Sequence, residues 1–70
     1  MPSGRPVLPL SERQLDCLKL VAKGLSSPQI ARELGLSPRT VDEYISDASA
    51  RLRVRTRVEA VVAAIRLRLF

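Results

Sequence analysis

Ser27-Pro28-Gln29-Ile30-Ala31-Arg32-Glu33-Leu34-Gly35-Leu36-Ser37-Pro38-Arg39-Thr40-Val41-Asp42-Glu43-Tyr44-Ile45-Ser46 contains two helix starts ten residues apart, each written Ser-Pro. A serine oxygen accepts from the free amides of a first helical turn, so Ser27 and Ser37 are N-cap candidates. Pro28 and Pro38 then occupy the first helical position, where a missing N–H costs nothing and the fixed φ suits a helix. Gly35 can adopt the left-handed conformation that ends the first helix. A short helix, a tight turn with glycine and a longer second helix is the sequence form of a helix-turn-helix. An ordinary αα-hairpin in a small bundle has the same spacing, so the pattern alone leaves both open.

Seventy residues make one domain with a thin core. Hydrophobic residues are 46% of the chain, which suits a folded protein rather than a disordered one. The aromatic residues are Tyr44 and Phe70, too few for the stacking platforms of a single-strand binder. There is no histidine and one cysteine, Cys17, which reads as a small apolar residue on a helix. Intrachain disulfides, zinc sites and His-based catalysis are thereby excluded, and no nucleophile–base pair or phosphate loop is present. The reading is therefore no enzyme and no cofactor. No apolar run approaches a membrane span and no secretion signal is visible, so a cytoplasmic protein without membrane contact is expected.

Net charge is +5 and the isoelectric point about 10.7, which suggests a polyanionic partner. The distribution is more informative than the total. Arg51, Arg53, Arg55 and Arg57 cluster with no acid among them, whereas the second helix of the hairpin sets Asp42, Glu43 and Asp47 against Arg39. Phosphate attraction is thus expected mainly from the arginine cluster.

Outward from the hairpin, Met1 to Pro9 holds three prolines, a glycine and a serine and reads as a flexible lead-in or linker end. Ser11 with Gln14 forms a capping box, and Leu10 with Leu15 is placed to staple the first turn. Helix 1 is expected over 11–23, with Leu15, Leu18, Val21 and Ala22 on one face and Gly24 as its stop. Helix 2 is expected over 28–34, with Ile30, Ala31 and Leu34 inward. Helix 3 is expected over 38–52, with Val41, Tyr44 or Ile45, Ala48 and Leu52 toward the core. Its opposite face carries Arg39, Asp42, Glu43, Ser46, Asp47 and Ala50. That face is either an ordinary solvated surface or, in a helix-turn-helix, the face offered to the major groove. Val54 is expected to pack inward, and Thr56 with Glu59 is another capping box. Helix 4 is expected over 57–68. Val58, Val61, Val62, Ile65 and Leu69 make an apolar stripe that Ala60, Ala63 and Ala64 widen. It is too broad for one side of a terminal helix in so small a domain, so part closes the core and part marks a partner surface. Burial of the whole stripe against helix 1 is the simpler alternative.

Leu10-Ser11-Glu12-Arg13-Gln14, Gly24-Leu25-Ser26, Ile30-Ala31, Leu34, Leu36-Ser37, Thr40-Val41, Arg51-Leu52, Val54 and Arg57-Val58-Glu59-Ala60 together resemble the DNA-binding domain of LuxR/GerE-type bacterial transcription regulators. The individual motifs are weak, but their joint spacing is specific, and it covers residues 10 to about 65. The resemblance implies an all-α, four-helix domain over residues 10–70 with helices 2 and 3 as the helix-turn-helix. It implies that helix 3 enters the major groove, with Asp42, Glu43, Ser46 and Asp47 at the bases. It places Ser27, Gln29, Arg39, Thr40 and Arg51, joined by Arg55 and Arg57 of the cluster, at phosphates. Helix 4 would pair two copies through Val58, Val62, Ile65, Arg66 and Leu69. The implied partners are double-stranded DNA, a second copy and, for an activator, RNA polymerase. The implied setting is a response regulator or quorum-sensing regulator.

Family members often carry Asn-Lys-Glu where Ser27-Pro28-Gln29 stand here, and many carry lysine at the position of Asp42. Pro28 removes an amide donor. Asp42, Glu43 and Asp47 repel phosphate, although an acid can accept from cytosine N4. Two other readings remain. Region 4 of a bacterial sigma factor shares the Gly-Leu-Ser, Ile-Ala and Thr-Val elements, but such domains usually end soon after the reading helix. A protein-interaction module that kept the fold and lost DNA binding accounts for the acidic face.

Overall fold

The computed structural model describes residues 10–70; the lead-in expected over 1–9 lies outside the described residues. Four helices run in order: α1 Glu12–Ala22, α2 Ser27–Leu34, α3 Pro38–Arg51 and α4 Arg57–Arg66. The all-α expectation and the order of elements hold, with α1, α3 and α4 trimmed by a residue or two at their ends and α2 beginning one residue earlier.

Each helix begins at a hydroxyl cap. Ser11, Ser37 and Thr56 cap α1, α3 and α4 as their spacing predicts, and the reciprocal boxes with Gln14 and Glu59 are both closed. The start of α2 differs. Ser26, not Ser27, is the N-cap: its hydroxyl accepts from the Gln29 amide, while the Gln29 side chain accepts from the Ser26 N–H at 2.8 Å. Ser27 is therefore the first helical residue and Pro28 the second. Several opening amides of a helix lack partners, so proline is tolerated one step further in. The capping box, which needs Gln at the third position, decides the register.

Each helix also ends alike. Gly24, Gly35, Arg53 and Arg68 adopt positive φ, at 92°, 70°, 60° and 57°. The amide of the next residue then donates back across the last turn: Leu25 to Leu20, Leu36 to Ala31, Val54 to Ser49 and Leu69 to Ala64. This is the six-to-one bond of the Schellman motif. The residue after each left-handed position (Leu25, Leu36, Val54, Leu69) packs against the core. The ends thus steer the chain inward as well as stop the helices.

The core is built from Leu10, Cys17, Leu18, Ile30, Ala31, Val41, Ile45, Ala48, Ala60 and Ala64. α1 packs on α3 and α4, and α2 packs on α3 and α1. Ile45 is buried while Tyr44 packs at the core's edge, which settles that pair. On α1 the inward face is Gln14, Cys17 and Leu18 with Leu15 and Val21 beside them; Ala22 is exposed, against expectation. The cap draws Gln14 inward and turns the face by about one residue. Burial raises the Cys17 thiol above its ordinary value, with Asp16 adding to the effect.

The apolar breadth of α4 divides by size. Ala60 and Ala64 are fully buried, and Val61 and Leu69 pack against the core, whereas Val58, Val62 and Ile65 are exposed. Burial of the whole stripe is excluded. Leu69, grouped by the sequence with the partner surface, is instead the core-facing residue of the last Schellman turn. No helix among the described residues is long and apolar enough to cross a membrane.

Candidate nucleic-acid interface

Three residues, Gly35, Leu36 and Ser37, separate α2 from α3. The two helices form a helix-turn-helix and bury Ile30, Ala31, Val41 and Ile45 in the core shared with α1 and α4. The outward face of α3 carries Arg39, Asp42, Glu43, Ser46, Asp47 and Ala50, all exposed as expected. Thr40 lies half-buried at the first turn, where Ser37 Oγ donates to its hydroxyl at 2.9 Å.

The acids on this face are less bare than the sequence suggests. Arg39 Nε lies 3.7 Å from Glu43 one turn along, a solvent-screened pair of little energy. Asp42 is held differently. Arg57, the first residue of α4, donates through Nη2 to Asp42 Oδ1 at 3.2 Å. The Arg57 Nη1 and Nη2 groups also both approach Ser27 Oγ at 3.2 Å. Ser27 in turn donates its hydroxyl to the same Asp42 oxygen. The sequence assigned these three residues to a base contact and two phosphate contacts; the structure brings them together with one another, from three helices.

The position of Arg57 is itself fixed locally. Glu59 Oε1 accepts from the Arg55 amide at 3.2 Å, the Thr56 amide at 3.0 Å and the Thr56 hydroxyl at 3.1 Å. These bonds hold the Glu59 carboxyl below its ordinary pKa, the Arg55 amide contributing most. They also rigidify the Arg55-Thr56-Arg57 turn that carries two basic side chains. A shallow cleft runs along this turn, lined by Asp42, Ser46 and Ala50 from α3 and by Val54, Arg55 and Arg57. Arg55 and Ser46 thus line the same cleft. Arg51 is exposed at the last turn of α3.

At the start of α2, Gln29 is committed to the capping box on Ser26 and Ser27 to the cluster with Arg57. Of the four opening positions, Pro28 has no amide to offer. The phosphate role expected of this segment is thus narrowed to few donors. Sequence reasoning missed the Ser27–Asp42–Arg57 cluster because its members are 15 and 30 residues apart. It also missed Ser26, although Ser26-x-x-Gln29 repeats the signal at Ser11-x-x-Gln14.

A family model described as bacterial regulatory proteins of the luxR family matches residues 8–64. The chain is 42% identical over 53 residues to the transcriptional regulatory protein DesR of Bacillus subtilis, covering 76% of this chain and 27% of DesR. It is 44% identical over 57 residues to the nitrate/nitrite response regulator protein NarP of Escherichia coli, covering 81% of this chain and 26% of NarP. To NarL, also a nitrate/nitrite response regulator protein of Escherichia coli, it is 38% identical over 58 residues, covering 83% of this chain and 27% of NarL. The chain thus spans about a quarter of the length of these relatives. The chain belongs to the luxR family of bacterial regulatory proteins and carries its DNA-binding, transcription-regulating helix-turn-helix domain.

Proposed function

We propose that residues 10–70 bind double-stranded DNA sequence-specifically for a bacterial transcription regulator, as a dimer on a two-fold symmetric site. α3 lies in the major groove, Glu43 and Ser46 with Asp47 meet base edges, and Arg39, Thr40, Arg51 and Arg55 meet phosphates. The observation that carries this reading is the cleft that both Arg55 and Ser46 line. A phosphate-seeking cation and a small polar side chain on an exposed helix face are the pair of roles that groove recognition needs. Two copies join along α4, where Val58, Val62 and Ile65 form an exposed apolar strip with Arg66 beside it. The relatives named response regulators support a full-length protein of that kind, acting in the cytoplasm, with RNA polymerase as a partner if it activates.

The test is selection of bound duplexes from a random library, then titration across salt. A two-fold symmetric motif with a steep salt slope is the expected result. No binding at low salt overturns the reading in favour of a protein-interaction module. Binding to the polymerase flap without dyad DNA would point to a sigma-like role instead.

A further inference from the structure

Asp42 is exposed in the second turn of the helix proposed to enter the groove, and a bare carboxylate there repels the phosphate backbone. Arg57 lies at the start of α4, 15 residues further along the chain. Its guanidinium is aimed inward, with Nη2 on Asp42 Oδ1 and both terminal nitrogens on Ser27 Oγ. The pairing differs in kind from Arg39–Glu43. That pair lies on one exposed helical turn, with the Arg39 side chain 90% exposed. The Arg57 side chain is 39% exposed, reaches across elements and has a third member in Ser27. α2, α3 and α4 are tied at one point.

We propose that Arg57 is a positioning residue for DNA recognition rather than a phosphate contact: it cancels the charge of Asp42 and, through Ser27, fixes the starts of α2 and α3 against α4. Asp42 is accordingly withdrawn from base reading, which falls to Glu43 and Ser46. The inference rests on the proposed DNA binding. It predicts a specific dependence: most of the effect of Arg57 on affinity disappears once Asp42 carries no charge.

The experiment is a double-mutant cycle on the 70-residue chain, with affinity for the selected duplex read by fluorescence anisotropy at several salt concentrations. Arg57→Ala alone is expected to weaken binding roughly 10-fold or more, because it leaves the Asp42 charge without a cation beside phosphate. In the Asp42→Asn background the same change is expected to cost less than about 3-fold and to leave the salt slope unaltered. An equal loss in both backgrounds, with the slope falling by about one unit, would make Arg57 a direct phosphate contact and overturn the proposal. A second measurement does not depend on the stability of Arg57→Ala. Library selection with Asp42→Asn is expected to return the same motif at every position; a changed base would restore Asp42 as a reader and overturn the proposal. Failure of the unaltered chain to bind any duplex would instead sink the DNA-binding reading itself.

Discussion

Ala60 and Val62 sit two residues apart on α4 and face opposite environments: Ala60 is 0% exposed and Val62 42%. α4 meets α1 and α3 through Ala60 and Ala64, with Val61 beside them, and turns Val58, Val62 and Ile65 to solvent. Close approach to the core requires the small residues, so enlarging them and polarising the outer strip should have separable effects. Ala60→Leu should overpack the core and destabilise the fold by about 1–3 kcal/mol. Val62→Asp should leave the melting temperature nearly unchanged and abolish self-association. Thermal melts and sedimentation equilibrium check both. A Val62→Asp variant that still dimerises would remove α4 as the pairing surface.

The two arginine-terminated helices store backbone strain that the glycine-terminated ones avoid. Arg53 holds φ 60° at the end of α3 and Gly35 φ 70° at the end of α2. A Cβ at Gly35 would meet nothing within 4 Å, so its cost is purely conformational. Gly35→Ala should therefore destabilise by about 1–2 kcal/mol, and Arg53→Gly should stabilise by up to about 1 kcal/mol. Chemical denaturation reads both signs. A destabilised Arg53→Gly would mean that the arginine side chain contributes more to the fold than its conformation costs.

The register of α2 is testable at adjacent serines. Ser26→Ala removes the cap and half of the box with Gln29, so it should cost about 1 kcal/mol. Ser27→Ala removes a hydroxyl from a partly exposed cluster while Arg57 still reaches Asp42 directly, and should stay within about 0.5 kcal/mol. The reverse order in urea melts would return the cap to Ser27.

Glu59 supplies a pH dependence with a definite sign. Its folded-state pKa is lowered by the Arg55 and Thr56 hydrogen bonds. The stability it contributes is therefore fully present above the ordinary glutamate range and lost as pH falls through the depressed value. Glu59→Gln keeps an acceptor for the box but cannot titrate. The melting-temperature difference between the native chain and this variant should shrink as pH drops from neutral to about 3. A difference that stays constant would mean the carboxylate charge plays no part in the cap.

Helix starts were legible because capping acts over three residues. Ser11 and Thr56 are marked by Gln14 and Glu59 three positions on, and Ser37 by Pro38 beside it. At α2 the proline signal points to Ser27, but the box that Gln29 closes outweighs it and moves the cap to Ser26. Arg53 and Arg68 as left-handed stops were not legible from residue type, since arginine carries no preference for that conformation. A repeated pattern does mark them in retrospect, an apolar residue after each stop in Leu25, Leu36, Val54 and Leu69.

By itself, then, the sequence determined where most helices begin, that there are four, and that a short turn with glycine joins α2 to α3, because these depend on hydrogen bonds between near neighbours and on a 3.6-residue period. Only the tertiary structure decided which side of α4 enters the core. Its alanine and valine stripes are both apolar, and periodicity cannot distinguish them; the spacing of the packed helices can. It likewise decided that Asp42 is paired with Arg57. Their charges are written in the chain, but the 3.2 Å between them exists only once α3 and α4 are packed.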